Sequence, residues 1–339
     1  MNKNQKLAFG LLFIIFILFG IVSYNYAINK TDDLIKSKYN NTSIKYKNKI
    51  SQLVNEKRKG TILVGIALSQ NENIKEALLS NSSDCISLSR FVNLSQKHSG
   101  YKDIWIQIID KKGNSFYRSW VDKKGDSLIS SRKDIKELIK NPKVTSSIST
   151  GKFSMTFKSI IPIYDMRNKF IGAVEIITHF NSISNILIDE NVKPIIIVDK
   201  KYKKQLTKAY TNTFVKNNYI ANFNADKEIL KELRKLNNID FILNNNYYVL
   251  FKNYIVITHK VNDIDNRSMG YISIFIDKNN IDLTGISAIK NSIKTIIISI
   301  GMFLIFTALF LIIYIKSKNI EYINKQLEKN HPIKNSLNQ

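Results

Sequence analysis

Arg118-Ser119-Trp120 is the stretch of this chain with most to offer a small molecule. A guanidinium presents a planar fork that matches a carboxylate, and an indole adds one N–H donor and an apolar wall. Asp165 lies 47 residues beyond Arg118, with Tyr164 beside it, and would supply the opposite charge. Read as a strand, the run places Phe116, Arg118 and Trp120 on one face, because successive side chains alternate. Together the five residues describe a dipolar pocket for an amino acid, an amine or a carboxylate. The alternative is that Arg118 and Asp165 pair with each other to hold two hairpins together, with Trp120 in the core, since buried charges require partners. Glu175 and His179 also share a strand face and read as an edge-facing polar pair.

Enzyme chemistry has no foothold in the pattern. There is no P-loop, no H-E-x-x-H, no G-x-S-x-G and no cysteine pair for zinc. Histidines 98, 179, 259 and 331 are scattered, and the lone Cys85 excludes an internal disulfide. The expectation is a non-enzyme without cofactor or metal.

The elements that must position those residues are legible from period and punctuation. Aromatic and β-branched runs bounded by Gly, Asn and Asp predict strands at 104–109, 115–121, 153–164 and 170–180. A helix is predicted at 133–139, ending before Asn141-Pro142. A second, smaller module follows, with strands at 193–199, 247–251, 255–261 and 270–276 and a helix start at 200–206. There is a faint internal repeat: Asp165 precedes Gly172 by seven residues, and Asp263 precedes Gly270 by seven. Upstream, residues 29–59 carry Tyr39, Tyr46, Ile50 and Leu53 at helical spacing. They predict a long helix packing on a partner helix, as in a homodimer, or on the sheet, and continuing through 61–69 with Gly60 as a soft spot. Shorter helices are expected at 71–80 and 86–95.

Two stretches, 7–27 and 295–315, contain no charged residue and are each 21 residues long, enough to cross a bilayer. The second reads as a transmembrane helix. The first reads as an uncleaved anchor, since Asn25-Tyr26-Ala27 lacks the small-residue pattern of a signal-peptide cleavage site. Lys3 and Lys6 precede the first span, and Lys316, Lys318 and Lys325 follow the second, so both ends are expected in the cytoplasm. The formal net charge is +24; two lysines before the first span, and five against two glutamates after the second, leave +19 between the spans. Those lysines are dispersed, which predicts a solvated surface and no nucleic-acid partner. The layout expected is a cytoplasmic start at 1–6, a first span at 7–27, a helical stalk at 28–100 and a membrane-distal module at 101–190. A membrane-proximal module at 191–290, a second span at 295–315 and a tail at 316–339 complete it. The tail carries a short amphipathic stub ended by His331-Pro332.

A long membrane-emerging helix, two tandem modules and a return span resemble the double Cache (dCache) sensor domain of bacterial transmembrane receptors, over residues 29–294. The resemblance implies an α/β, PAS-like fold: a long N-terminal helix and two tandem antiparallel-sheet modules flanked by transmembrane helices. In the amino-acid-binding branch an R-x-W motif in the distal module grips the ligand carboxylate, and an aspartate 45 to 50 residues on takes its amino group. That implies ligand roles for Arg118, Trp120 and Asp165. Val121 and Gly113 stand where that branch has tyrosines. The implied function is a membrane-anchored sensor that binds a small extracytoplasmic ligand and signals through its second span. The 24-residue tail is shorter than any kinase or cyclase domain, so the output is expected from a separate cytoplasmic protein, or the chain is a truncated sensor. Two spans around an α/β domain also describe polysaccharide chain-length regulators. Those usually carry a proline-rich second span, and Pro142, Pro162, Pro194 and Pro332 all lie outside both spans here.

Overall fold

Helix α1 runs unbroken from Lys3 to Ser69 in the computed structural model, which describes residues 3–330 except 264. Tyr39, Ser43, Ile50, Lys57, Thr61 and Leu68 are all buried on it, at spacings that keep them on one stripe. Along the stripe, Tyr39 and Ser43 meet Tyr248 and Tyr247, while Thr61 and Leu68 lie on the first sheet of the same chain. Gly60 is a point of close approach, not a break. A Cβ there would sit 2.1 Å from the Tyr101 hydroxyl, and one on Gly65 would sit 2.2 Å from Ile161 Cδ1.

Residues 39–281 form one compact unit. After α1 come α2 (Glu72–Ser80), whose first turn is capped by the Asn71 side chain, and α3 (Ser89–His98). The first sheet is built from β1 (Ile104–Asp110), β2 (Ser115–Arg118), β3 (Thr145–Thr150), β4 (Met155–Tyr164) and β5 (Phe170–Thr178). Its order is β2-β1-β5-β4-β3, antiparallel throughout, with α4 (Lys133–Lys140) between β2 and β3 in sequence. One face packs Ile104, Ile106, Ile108, Val174 and Ile176 against Leu68, Ile74 and Ala77 of α1 and α2. The other packs Ile109, Ile160 and Ala173 against Ile135 and Leu138 of α4.

Helix α5 (Asn181–Ile188) leads into the second sheet, β6 (Lys193–Val198), β9 (Val249–Phe251), β10 (Tyr254–Asn262) and β11 (Ser268–Asp277), in the order β6-β11-β10-β9. Between β6 and β9 the chain forms a 3-10 turn at Lys200–Gln205 and a small ribbon, β7 (Phe214–Val215) and β8 (Asn218–Tyr219). Helices α6 (Lys227–Lys235) and α7 (Asp240–Leu243) follow. They cover the second sheet with Ile229, Leu230, Leu233 and Ile242. Strand β3 is absent from the sequence reading because TSSIST holds a single apolar residue, Ile148, and that residue alone is buried.

The internal repeat is a shared turn. Asp165 accepts hydrogen bonds from the backbone N–H groups of Arg167 (2.9 Å) and Lys169 (2.8 Å), and Asn168 adopts φ 57°. Asp263 does the same with Asp265 (2.9 Å) and Arg267 (2.8 Å), and Asn266 adopts φ 60°. The glycine seven residues after each aspartate lets the neighbouring strand close in.

Residues 3–38 and 282–330 form the other unit, in which α8 (Thr284–Asn330) is one continuous helix that includes the predicted stub. His331 and Pro332 lie outside the described residues. Gly301 of α8 lies against the Phe16 ring of α1. Phe13, Val22, Phe303, Phe306 and Phe310 are among the many large apolar side chains left exposed there. Both helices are long and apolar enough to cross a membrane, and a bilayer is the solvent that such a surface calls for.

A Cβ on Gly172 would fall 2.5 Å from the Ile109 carbonyl oxygen, and one on Gly270 would fall 2.3 Å from that of Ile197. Gly172→Ala and Gly270→Ala are each expected to destabilise by roughly 1–3 kcal/mol, by forcing packed strands apart. Thermal unfolding should record both losses, whereas Gly100→Ala, which meets open space, leaves the melting temperature unchanged.

Candidate functional site

Strand register assembles the polar face of the first sheet. Gln107 pairs with Arg118 on one side and Glu175 on the other, and Glu175 pairs with Ile160. One step along, Trp105 pairs with Ile177, Ile177 with Lys158, and Lys158 with Ser147. Residues paired across strands share a face, so these two rows lie side by side on the side of the sheet that α4 roofs. His179, just beyond β5, continues the face with its ring 4.7 Å from that of Trp105.

Glu175 is fully buried on the central strand. A carboxylate there needs a partner, and Arg132, from the loop entering α4, supplies it with a two-pronged contact of 2.6 and 2.7 Å. The same guanidinium holds Asp134 at 2.5 and 3.2 Å. Burial by itself would lower the Arg132 pKa, but Glu175 and Asp134 hold it well above the ordinary arginine value. With its amide nitrogen turned to the carboxylate, Gln107 donates to Glu175 (3.0 Å) and accepts from Ser115 Oγ (2.8 Å) and Arg118 Nε (3.3 Å). The result is a continuous polar chain across the sheet, from Asp126 through Arg118, Gln107 and Glu175 to Arg132 and Asp134.

Lys158 stands outside this chain. It has neither an ion pair nor a hydrogen bond among the described residues, although it is largely withdrawn from water. Burial pushes its pKa down, the neighbouring Arg132 pushes it further, and Glu175 and Asp134 offset only part of this. His179 is 3 % exposed; its Nδ1 lies 2.9 Å from the Asp103 carbonyl oxygen, and its Nε2 has no partner among the described residues. Burial lowers its pKa, so the neutral ring is favoured.

The residues expected from sequence divide. Arg118 and Trp120 are on this face. Arg118 forms its fork with Asp126 (2.7 and 2.9 Å) and also donates to the Lys123 carbonyl, so its structural partner is Asp126 and not Asp165. Its hydrogen bonds hold the Asp126 carboxyl below the usual range. Trp120 lies past the end of β2, which stops at Arg118, and stacks on Trp105 at 5.0 Å and 13°. Phe116 is not beside them. A bulge between Ile108 and Ile109 breaks the alternation of β2, and Phe116 packs into the core beneath α1 and α2. Tyr164 and Asp165 sit at the β4–β5 turn, at the opposite end of the sheet. The Tyr164 hydroxyl donates to the Pro142 carbonyl (3.0 Å). Ile177, the partner of Trp105, lies five steps along β5 from Gly172, which is about 17 Å at strand rise. Glu175 and His179 are interior, because β5 is the middle strand of the sheet.

Gln107, Arg132 and Lys158 escaped the sequence reading. The available signal was a charge or amide inside a run otherwise apolar, as in IWIQIID, MTFKSIIPIY and FIGAVEIIT. Nothing local marks Arg132, which meets Glu175 across 43 residues.

No family model matches this chain, and no curated protein does. Among solved structures, the periplasmic domain of Vibrio cholerae LuxQ aligns with a TM-score of 0.44 and 10 % identity, over 70 % of this chain and 100 % of that one. The sensor domain of the V. cholerae histidine kinase DctB aligns at 0.39 and 12 %, over 68 % and 94 %. The periplasmic sensory domain of the Campylobacter jejuni chemoreceptor Tlp1 aligns at 0.35 and 12 %, over 73 % and 98 %. These neighbours are sensor or periplasmic domains, the kind to which the sequence resemblance points. At such scores and identities the likeness assigns neither family nor ligand.

Two outcomes follow from the geometry. Lys158→Met removes an uncompensated charge and is expected to raise the melting temperature of the unliganded protein by roughly 2–4 °C, the equivalent of about 1 kcal/mol at this size. Asp165→Ala and Asp263→Ala remove equivalent turn caps and are expected to lower it slightly and alike. Calorimetric scans of the three variants decide both.

Proposed function

We propose that this chain is a membrane-anchored sensor of the dCache type whose small ligand binds on the α4-roofed face of the distal module. The supporting observation is a comparison of its two modules. In register, the positions of Gln107, Lys158 and Glu175 in the first sheet correspond to Ile195, Val256 and Ser273 in the second. Ile195 and Val256 belong to a continuous apolar core, and the Ser273 hydroxyl is satisfied by Thr258 at 2.9 Å. The frame therefore does not require charge on this face, yet the distal copy installs a buried carboxylate, two arginines and an unpaired lysine there. Buried charge costs stability, and binding is the function that would retain it.

The flanking lysines orient both ends toward the cytoplasm, with residues 28–294 outside, and α8 would carry the signal across the bilayer. Transmission would be a shift between two populated arrangements of the distal module, biased by differential affinity for the ligand. No catalytic step is assigned to the face.

The test is a thermal-shift screen of the full chain in detergent micelles against amino acids, amines and organic acids. A ligand at 100 times its Kd adds about 2.7 kcal/mol to the folded state, expected as a rise of roughly 5–10 °C. Lys158→Val, which installs the proximal residue, should fold and lose the response. Hits that persist in Lys158→Val and in Gln107→Leu would remove the distal face as the site.

A further inference from the structure

The orphaned groups on the distal face bear on the chemical class of the ligand. The anions nearest Lys158, Glu175 and Asp134, are held by Arg132, and neither makes an ion pair or hydrogen bond with the lysine among the described residues. Both Glu175 oxygens and both Asp134 oxygens are engaged by Arg132, and Asp126 is engaged by Arg118. An ammonium has three donors and no acceptor capacity, so what Lys158 lacks is an acceptor.

His179 lacks the converse. The Asp103 carbonyl can only accept, so Nδ1 carries the proton and donates to it. Nε2 is then a bare acceptor, buried and without a partner. Ser149 Oγ, on the same face of β3 as Ser147, is buried and unpartnered too. His179 and Lys158 are close on this face, since Lys158 pairs with Ile177 two residues before His179. The walls beside them are aromatic. Trp105 has Trp120 stacked on it, and Phe153 and Tyr210 meet it edge-on at 5.6 and 5.7 Å. Tyr210 is brought over by a backbone hydrogen bond to the Phe153 carbonyl (2.8 Å).

We infer that the ligand is a small hydroxy acid with an apolar body: its carboxylate on Lys158, its hydroxyl donating to His179 Nε2, its body on the aromatic walls. This rests on the reading of the distal face as the ligand site. An uncharged donor is specified because an ammonium would need a carboxylate. Asp165 is at the far turn, Glu175 is committed to Arg132 and Gln107, and Asp103 accepts from Asn181 through Oδ2 (2.6 Å) with the Lys57 ammonium already beside it.

The experiment is titration calorimetry of the full chain in detergent micelles with four probes: 3-phenyllactate, 3-phenylpropionate, phenylalanine and 2-phenylethanol. Phenyllactate should bind best, with about a tenfold loss or more on removing the hydroxyl or the carboxylate. Lys158→Met should weaken both acids about 10- to 100-fold, and Lys158→Arg should restore part of the loss. His179→Phe should leave phenyllactate and phenylpropionate equal. Phenylalanine or the alcohol binding as well as phenyllactate, or none of the four binding, would overturn the hydroxy-acid class. Phenylalanine binding that is lost in Lys158→Met would overturn the class and leave the site standing. Phenyllactate binding untouched by Lys158→Met and His179→Phe would remove the site itself.

Discussion

A carboxylate in the middle of a five-stranded sheet cannot be left alone, and the first module is arranged around that constraint. Glu175 has no access to water, so its charge survives only if a cation and hydrogen-bond donors are delivered to it. Arg132 is the cation. To reach β5 it must draw the loop that enters α4 down onto the sheet, which fixes the roof as well as the charge. Gln107 and Arg118 extend the same network to the sheet edge, where Asp126 closes it. Removing one member leaves its partner buried and unpaired, which typically costs more than the pair contributes when intact.

The second module demonstrates what the frame does without that constraint. It keeps the aspartate-capped turn, the left-handed asparagine and the glycine that admits the adjacent strand. Where the first module has Gln107, Lys158 and Glu175 it has Ile195, Val256 and Ser273, on a face packed under α6 and α7. Conserving backbone devices while exchanging side chains on one face separates architecture from specificity within a single molecule.

Most of the frame was legible in the sequence because its signals are strong and local. Alternation fixed the hairpins around 104–118 and 155–178, uncharged runs marked both apolar helices, and the stripe from Tyr39 to Leu53 marked α1. Less of the polar face was legible. Arg118 does fall on the α4-roofed face, where alternation puts it, and Trp120 reaches it by stacking on Trp105 beyond the strand end. Phe116 was misplaced by one bulge, which alternation cannot foresee. Asp165 was misassigned although the sequence held the better clue: its seven-residue interval to Gly172 recurs from Asp263 to Gly270, as a turn repeated in two modules would. Strand β3 and Arg132 were out of reach, since each is defined by a partner distant in the chain.

The two faces of β5 connect the site to α1. Glu175 points into the polar network, while its neighbour Ile176 packs toward Gly65, where an added Cβ would lie 3.3 Å from Ile176 Cγ1. Thr178, two residues further, meets Thr61 of α1 at 3.1 Å between hydroxyls. Glycine at position 65 lets the Ile161 and Ile176 side chains pack directly on the helix backbone. In the proposed sensor, a ligand drawing on Lys158 and His179 would act on β4 and on the end of β5. A shift of β5 would meet α1 directly, because close-packed interiors transmit displacement instead of absorbing it. Helix α1 is uninterrupted from that contact down to Lys3.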